Sequence, residues 1–167
     1  MNLEIKHIKG TEDLILIRSI AHQTWPHTFA EILSKDQIGY MLELLYSIPS
    51  LEQQVSEKGH KFLIAYENEE AIGFASYEAN SNGSNSTKIH KIYFLPSTQG
   101  KGYGRQMMDY IKSLALKLKQ TSLILNVNKY NKAIQFYEYL GFHIIKQEVI
   151  DIGSGYIMDD FVMEFSL

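Results

Sequence analysis

Residues 95–111 read LPSTQGKGYGRQMMDYI, and the three glycines in the middle, Gly100, Gly102 and Gly104, decide how the chain is organised. A strand-like run, KIHKIYFL over residues 88–95, leads into them. An amphipathic helix leads out, with Met107, Ile111, Leu114, Ala115 and Leu118 on one stripe. Glycines at alternate positions raise the entropy lost on folding, so this junction has a use for bare backbone. A strand-to-helix turn without side chains lets several N–H groups converge on an anion, and the helix dipole adds to the field. The spacing predicts a phosphate-bearing ligand at the N–H groups of residues 101–105, with Lys101 and Arg105 adding positive charge. A tight turn whose glycines serve packing alone is the competing reading. The pattern G-x-G-x-G lacks the ending of a P-loop. It also lacks the G-x-G-x-x-G of a dinucleotide loop, which expects an acidic residue about 20 positions on. Leu123, Ile124 and Leu125 supply none.

Working outward, LEIKHIK near the N-terminus alternates as a half-buried strand does. Thr11 is placed to cap a helix with Glu12 and Asp13 in its first turn, which should end near Trp25 because Pro26 follows. SKDQ, residues 34–37, reads as a capping box opening a second helix, and Pro49-Ser50 starts a short third one. KFLIAYE and AIGFASYEA form a hairpin around a turn at NEE. NSNGSNST, residues 80–87, reads as a mobile loop. After the glycine turn and its helix comes SLILNV, an apolar strand suited to a sheet interior. A helix from Asn131 to a Gly141 cap follows, then two strands around Gly153 and Gly155. The order β, helices, β-β-β, helix, β, helix, β-β predicts a mixed α+β fold in one domain over residues 1–167.

The chain has 167 residues, 45% hydrophobic and 21% charged, the balance of an ordinary globular protein. Its formal charge of −3 argues against a nucleic-acid partner. With no cysteine, thiolate nucleophiles and cysteine zinc sites are excluded. No apolar run approaches the roughly 20 residues of a membrane span, and the N-terminus lacks a signal peptide's apolar core. A cytoplasmic monomer or homodimer is expected. The six histidines, at 7, 22, 27, 60, 90 and 143, show no ligand spacing, and no metal is predicted.

The stretch Gln99-Gly100-Lys101-Gly102-Tyr103-Gly104 resembles the acetyl-CoA loop of the GNAT superfamily of N-acetyltransferases, Q/R-x-x-G-x-G/A. IYFLP before it is similar to that family's central strand, and NKAIQFYEYLGF, residues 131–142, to its second motif. The resemblance covers essentially the whole chain and is closest to the bacterial polyamine-acetylating type. It implies a mostly antiparallel sheet of about seven strands, two of them splayed, flanked by four to five helices.

It also implies acetyl-CoA as cofactor and a small-molecule amine, polyamines first, as acceptor. Main-chain groups of Phe94 and Leu95 would bond the pantetheine arm. Gln99, Gly100, Lys101, Gly102, Tyr103, Gly104 and Arg105 would hold the pyrophosphate. Asn131 would cap its helix or bond the arm. Tyr137 aligns with the tyrosine that protonates the leaving thiolate; a phenol near pKa ~10 can donate to a thiolate whose acid lies near ~8.5. A core tyrosine is the alternative reading. Where many members carry a glutamate, this chain has His90, which titrates near neutrality and is a candidate base, with Glu78 as a substitute. The acceptor wall is expected from Trp25, Phe29 and Tyr40, with Asp159 or Asp160 attracting a cationic amine. Two alternatives stay open: a non-catalytic CoA-binding module, suggested by His90, and a peptide or protein N-acetyltransferase.

Overall fold

A seven-stranded sheet with helices on both faces organises residues 3–167, the part of the chain that the computed structural model describes. The elements run β1 (Leu3–His7), α1 (Thr11–Phe29), α2 (Lys35–Tyr46), α3 (Ile48–Ser56), β2 (Lys61–Glu67), β3 (Glu70–Glu78) and β4 (Ser86–Phe94). They continue with α4 (Tyr103–Lys117), β5 (Ser122–Asn128), α5 (Ala133–Leu140), β6 (His143–Gly153) and β7 (Tyr156–Ser166). The spatial order is β1-β2-β3-β4-β5-β7-β6, and only β4 and β5 are parallel. A parallel pair needs a crossover, and α4 provides it. This is the mixed α+β, mostly antiparallel sheet that the sequence predicts.

Two apolar layers hold it. On one face α1, α2 and α3 bury Trp25, Phe29, Tyr46 and Leu51 against Phe62 and Phe74 of β2 and β3. On the other, α4 and α5 bury Met107, Ile111 and Tyr137 against Leu63, Leu123 and Met163. Local signals agree with the ends. The Ser34 hydroxyl accepts from the Gln37 N–H at 3.1 Å, the cap read from SKDQ. Asn68 and Glu69, both at positive φ, make the two-residue turn that suits the twist of the β2–β3 hairpin.

Two local expectations are corrected. Helix α1 does not stop before Pro26; it runs on to Phe29, because Trp25 and Phe29 are both 3% exposed and their packing outweighs the lost proline hydrogen bond. Its N-cap is Gly10, so Thr11 lies inside the helix and makes no cap. The segment after β3 is tied down by Gln120, which accepts from the Asn80 N–H and the Thr87 hydroxyl and donates to Asn80 Oδ1.

Two irregularities in β4 position the site. The β4–β5 ladder spans four pairs, from Ser86 with Ser122 to Ile89 with Leu125, and then the strands part. On the β3 side the register slips between Ser76–Lys91 and Tyr77–Ile89, which leaves His90 as an extra residue in a β-bulge. Ile89 packs toward α4 and α5, while His90 and Lys91 both reach the α1–α3 side, one to His60 and the other to Gln54.

Candidate active site

The gap between β4 and β5 opens into one continuous cleft of about 1690 Å³ that runs from the glycine turn to the face covered by α1–α3. At its entrance Gly100 and Gly102 have φ of 82° and 77°, the left-handed region where a β-carbon is strained, and space is open around both. Gly102 is the N-cap of α4. The N–H groups of Gly102, Gly104 and Arg105 donate to no group among the described residues, as expected of a first helical turn turned toward an anion. Gly104 differs: its φ is ordinary and a β-carbon there would meet the Phe136 ring at 3.4 Å, an ordinary contact, so an alanine would fit.

The main chain of β4 supplies the next surface. Leu95 donates its N–H to Ile72 at 2.8 Å, and its carbonyl accepts from Thr98. Both main-chain groups of Leu95 are thus engaged, which corrects the expectation that they bond a pantetheine arm. Because hydrogen bonding alternates along an antiparallel pair, the N–H and C=O of Phe94 and Ile92 point away from β3 toward the gap. The main-chain groups of Phe94 and Ile92 are therefore the ones turned to the gap. The Lys101 side chain turns away from the cleft wall, with its ammonium 3.3 Å from Glu67. Gln99, Gly100, Gly102, Tyr103, Gly104, Arg105 and Asn131 all line the cleft. Asn131 Oδ1 accepts from the N–H of Ala133, the first residue of α5, at 2.9 Å.

Tyr137 borders the gap from the α5 side and is 8% exposed. Burial pushes its pKa well above the ordinary 10, so the phenol holds its proton throughout the neutral range. Facing it is Tyr93, whose pKa is raised by burial, then by Tyr137 and Asp160. Asp160, on β7, is 6% exposed. Its Oδ2 accepts from Asn126 at 3.4 Å, while its buried Oδ1 has no partner among the described residues, and burial raises its pKa.

On the α3 side His90 Nε2 stands 2.9 Å from Glu78 Oε1. The bulge turns the His90 ring flat against His60, 3.8 Å between centroids. Burial first, then Lys91, Lys88 and Lys58, hold the pKa of His90 well below 6.5, so at neutral pH it is a neutral ring that donates Nε2–H to the carboxylate. His60 is lowered as well, by burial first. The fold therefore gathers histidines that look scattered in sequence: ligand atoms of His60, Glu78 and His90 lie within 4.8 Å of one another. With the two rings only 16° from parallel, their in-plane lone pairs run side by side and do not converge on one ion.

Among the acceptor-wall candidates, Trp25, Phe29 and Asp160 line the cleft. Tyr40 does not; its hydroxyl donates to the Ile152 carbonyl at 2.6 Å and ties α2 to the β6–β7 hairpin. Asp159 is also outside, ion-paired with Lys129 at 2.5 Å and bonded to Gln147. Neighbours in sequence on a strand face opposite ways, which separates Asp159 from Asp160. The sequence reading missed Tyr93, Asn126 and Lys91. The one signal for Lys91 was a charge inside the apolar run KIHKIYFL.

Comparison with known proteins fits this geometry. The model of the acetyltransferase (GNAT) domain matches residues 58–144. A spermidine N(1)-acetyltransferase of Thermoplasma acidophilum is 26% identical over 164 residues, 95% of this chain and 97% of its own. An uncharacterized N-acetyltransferase of Escherichia coli K12 is 29% identical over 117 residues, 65% of this chain; the match spans 64% of that relative's length. The PaiA N-acetyltransferase of Thermoplasma acidophilum, solved in complex with coenzyme A, superposes with a TM-score of 0.82 at 24% identity over 100% of both chains. That last likeness speaks for the fold.

Proposed function

The chain is a member of the acetyltransferase (GNAT) family, and from that premise we propose that it transfers an acetyl group from acetyl-CoA to a primary amine of a small molecule by direct attack. The observation that carries this reading is one alignment. Unpaired amides at the start of α4 open onto a gap whose far side holds a buried, protonated Tyr137.

Acetyl-CoA, the family's acetyl donor, supplies the acetyl group as a thioester. The N–H groups of Gly102, Gly104 and Arg105 hold its diphosphate, with the Arg105 side chain adding charge. The main chain of Phe94 and Ile92 holds the arm in register with the gap, as an added strand would be held. An N–H of this segment also faces the oxygen that gains charge as the amine attacks. Tyr137 keeps a proton at its phenol oxygen for the departing sulfur. The amine gives its proton to water in the cleft, because burial and three lysines hold His90 well below 6.5 and leave it a poor acceptor at neutral pH. Bond making and breaking balance: a C–N bond forms, the C–S bond breaks, one proton goes to water and one reaches the sulfur.

Polyamines are the first acceptors to assay. The relative aligned over 164 residues is a spermidine N(1)-acetyltransferase, and the unpartnered Oδ1 of Asp160 offers an anion to a cationic amine. The test is release of free thiol from acetyl-CoA in the presence of an amine panel. Amine-dependent release is the expected result. Tight CoA binding without release for any amine would leave a binding module instead of an enzyme.

A further inference from the structure

Lys91 is a charged side chain that the proposed chemistry leaves unused. It is 7% exposed, lines the cleft, and its ammonium donates to Oε1 of Gln54 at 2.6 Å. Gln54 is itself fixed in this orientation, since its Nε2 donates to the Leu45 carbonyl and to Ser50 Oγ. The Tyr46 and Phe62 rings lie 5.8 and 5.6 Å from the ammonium. No carboxylate lies within ion-pair distance of it among the described residues, and two of its three N–H donors have no acceptor there. A buried ammonium without a counter-charge is expensive.

The surroundings do not supply one. Gln53, Gln54, Lys58, His60 and His90 line the same wall of the cleft; Glu31 also lines the cleft and Glu78 stands behind His90, but neither pairs with Lys91. His60 adds a buried Nδ1 with no hydrogen-bond partner among the described residues. The opposite wall carries Asp160, with its unpartnered oxygen beside Tyr93. Lys91 and Tyr93 project from the same face of β4, two residues or about 7 Å apart. The cleft thus offers an ammonium on one wall and a carboxylate on the other, over the length of a small molecule.

We propose that the wall formed by α3 and the bulged part of β4 is a carboxylate subsite, so that the acetyl acceptor is an amine carrying a carboxylate in the same molecule, an α-amino acid or a close analogue. The inference rests on the acetyltransfer reading above and chooses among its acceptors: Lys91 holds the carboxylate, and the amine lies toward Asp160 and Tyr137. Burial, with Lys58 second, lowers the pKa of Lys91 to about 7, the behaviour of an ammonium lacking its anion. A polycation would place positive charge against Lys91 and Lys58.

The experiment measures thiol release from acetyl-CoA with matched triplets: a free α-amino acid, its amide, and the corresponding decarboxylated amine, across the common side chains, with spermidine and cadaverine alongside. For the best side chains kcat/KM for the free acid should exceed that for amide and amine by about 10- to 100-fold, the effect of one hydrogen bond to a charged group. In Lys91→Met that ratio should collapse toward one. A wild-type enzyme that acetylates the amide, the amine or spermidine as well as the free acid overturns the proposal without any variant. So does a preference for the free acid that survives in Lys91→Met. Release with no member of the panel, while calorimetry shows CoA bound, overturns the acetyltransfer reading itself and this proposal with it.

Discussion

On the α4–α5 side the cleft is walled by main chain: free amides at Gly102, Gly104 and Arg105, and the unpaired edge of β4 at Ile92 and Phe94. On the α1–α3 side it is walled by side chains: Trp25, Phe29, His60, His90, Lys91 and, across from them, Asp160. A wall made of backbone recognises what any chain can recognise, a diphosphate and an amide-bearing arm. It needs glycines and a register more than particular side chains. On the proposed reading the acceptor is chosen at the side-chain wall, and there a single substitution is expected to change the answer. The Lys91 ammonium and the Asp160 carboxylate, both nearly buried and both short of partners, are the clearest instances.

The largest effect expected is on the shared boundary. Tyr137→Phe keeps the ring and removes the proton, so kcat should fall about 100- to 10,000-fold. CoA affinity should change by about threefold or less, since the lost interaction belongs to the transition state. Steady-state kinetics with calorimetry checks both; an unchanged kcat removes Tyr137 from the chemistry. Next comes the backbone wall. Gly102→Val puts a branched β-carbon at φ 77°, and CoA binding should weaken about 10- to 100-fold, with the far-ultraviolet circular dichroism intact. Retained affinity would mean that the turn is a packing device.

Gly73 probes how the backbone edge is held. A β-carbon there would stand 2.3 Å from the Phe94 ring, so Gly73→Ala should lower stability by about 1–3 kcal/mol and also weaken CoA binding by shifting β4. Urea unfolding measures the first part, and stability equal to wild type would show that the ring moves freely. Ser34→Ala, at the α2 cap far from the gap, should cost about 1 kcal/mol and leave CoA affinity unchanged; a loss of affinity would break the division between the two walls.

The smallest change per pH step is electrostatic. The folded pKa of Lys91 is depressed from 10.5 to about 7, so the unfolded chain binds more protons in that window. Stability should fall as pH drops from about 10.5 to 7, and this limb should be missing in Lys91→Met. His60 and His90 are lowered from 6.5 to about 3, so a second loss should begin below pH 6.5 and be shallower in His60→Asn. Thermal melts across pH test both, and a flat alkaline limb in the wild type would deny that Lys91 is buried as a free amine.

What was legible in the sequence follows the same division. The glycine turn, the strand before it and the Gly141 cap are local features, set by backbone conformations that few residues adopt, and they could be placed from spacing alone. The order of elements along the chain followed from them, while the order of strands in the sheet did not. Side-chain walls are assembled by tertiary packing. Tyr40 and Asp159 had the right chemistry for the cleft, but one is turned to a hairpin carbonyl and the other to Lys129. His60 and His90 are 30 positions apart and meet because of a one-residue bulge that no local signal announced. Pro26 misled for the same reason, since burial of Trp25 and Phe29 outweighed a local preference.

The most direct measurement is a crystal structure with CoA bound. It should place the diphosphate within about 3 Å of the Gly102, Gly104 and Arg105 amide nitrogens, and the sulfur between β4 and β5 within reach of the Tyr137 phenol. A coenzyme seated elsewhere, or the same amides bonded to the protein's own chain, would contradict the account.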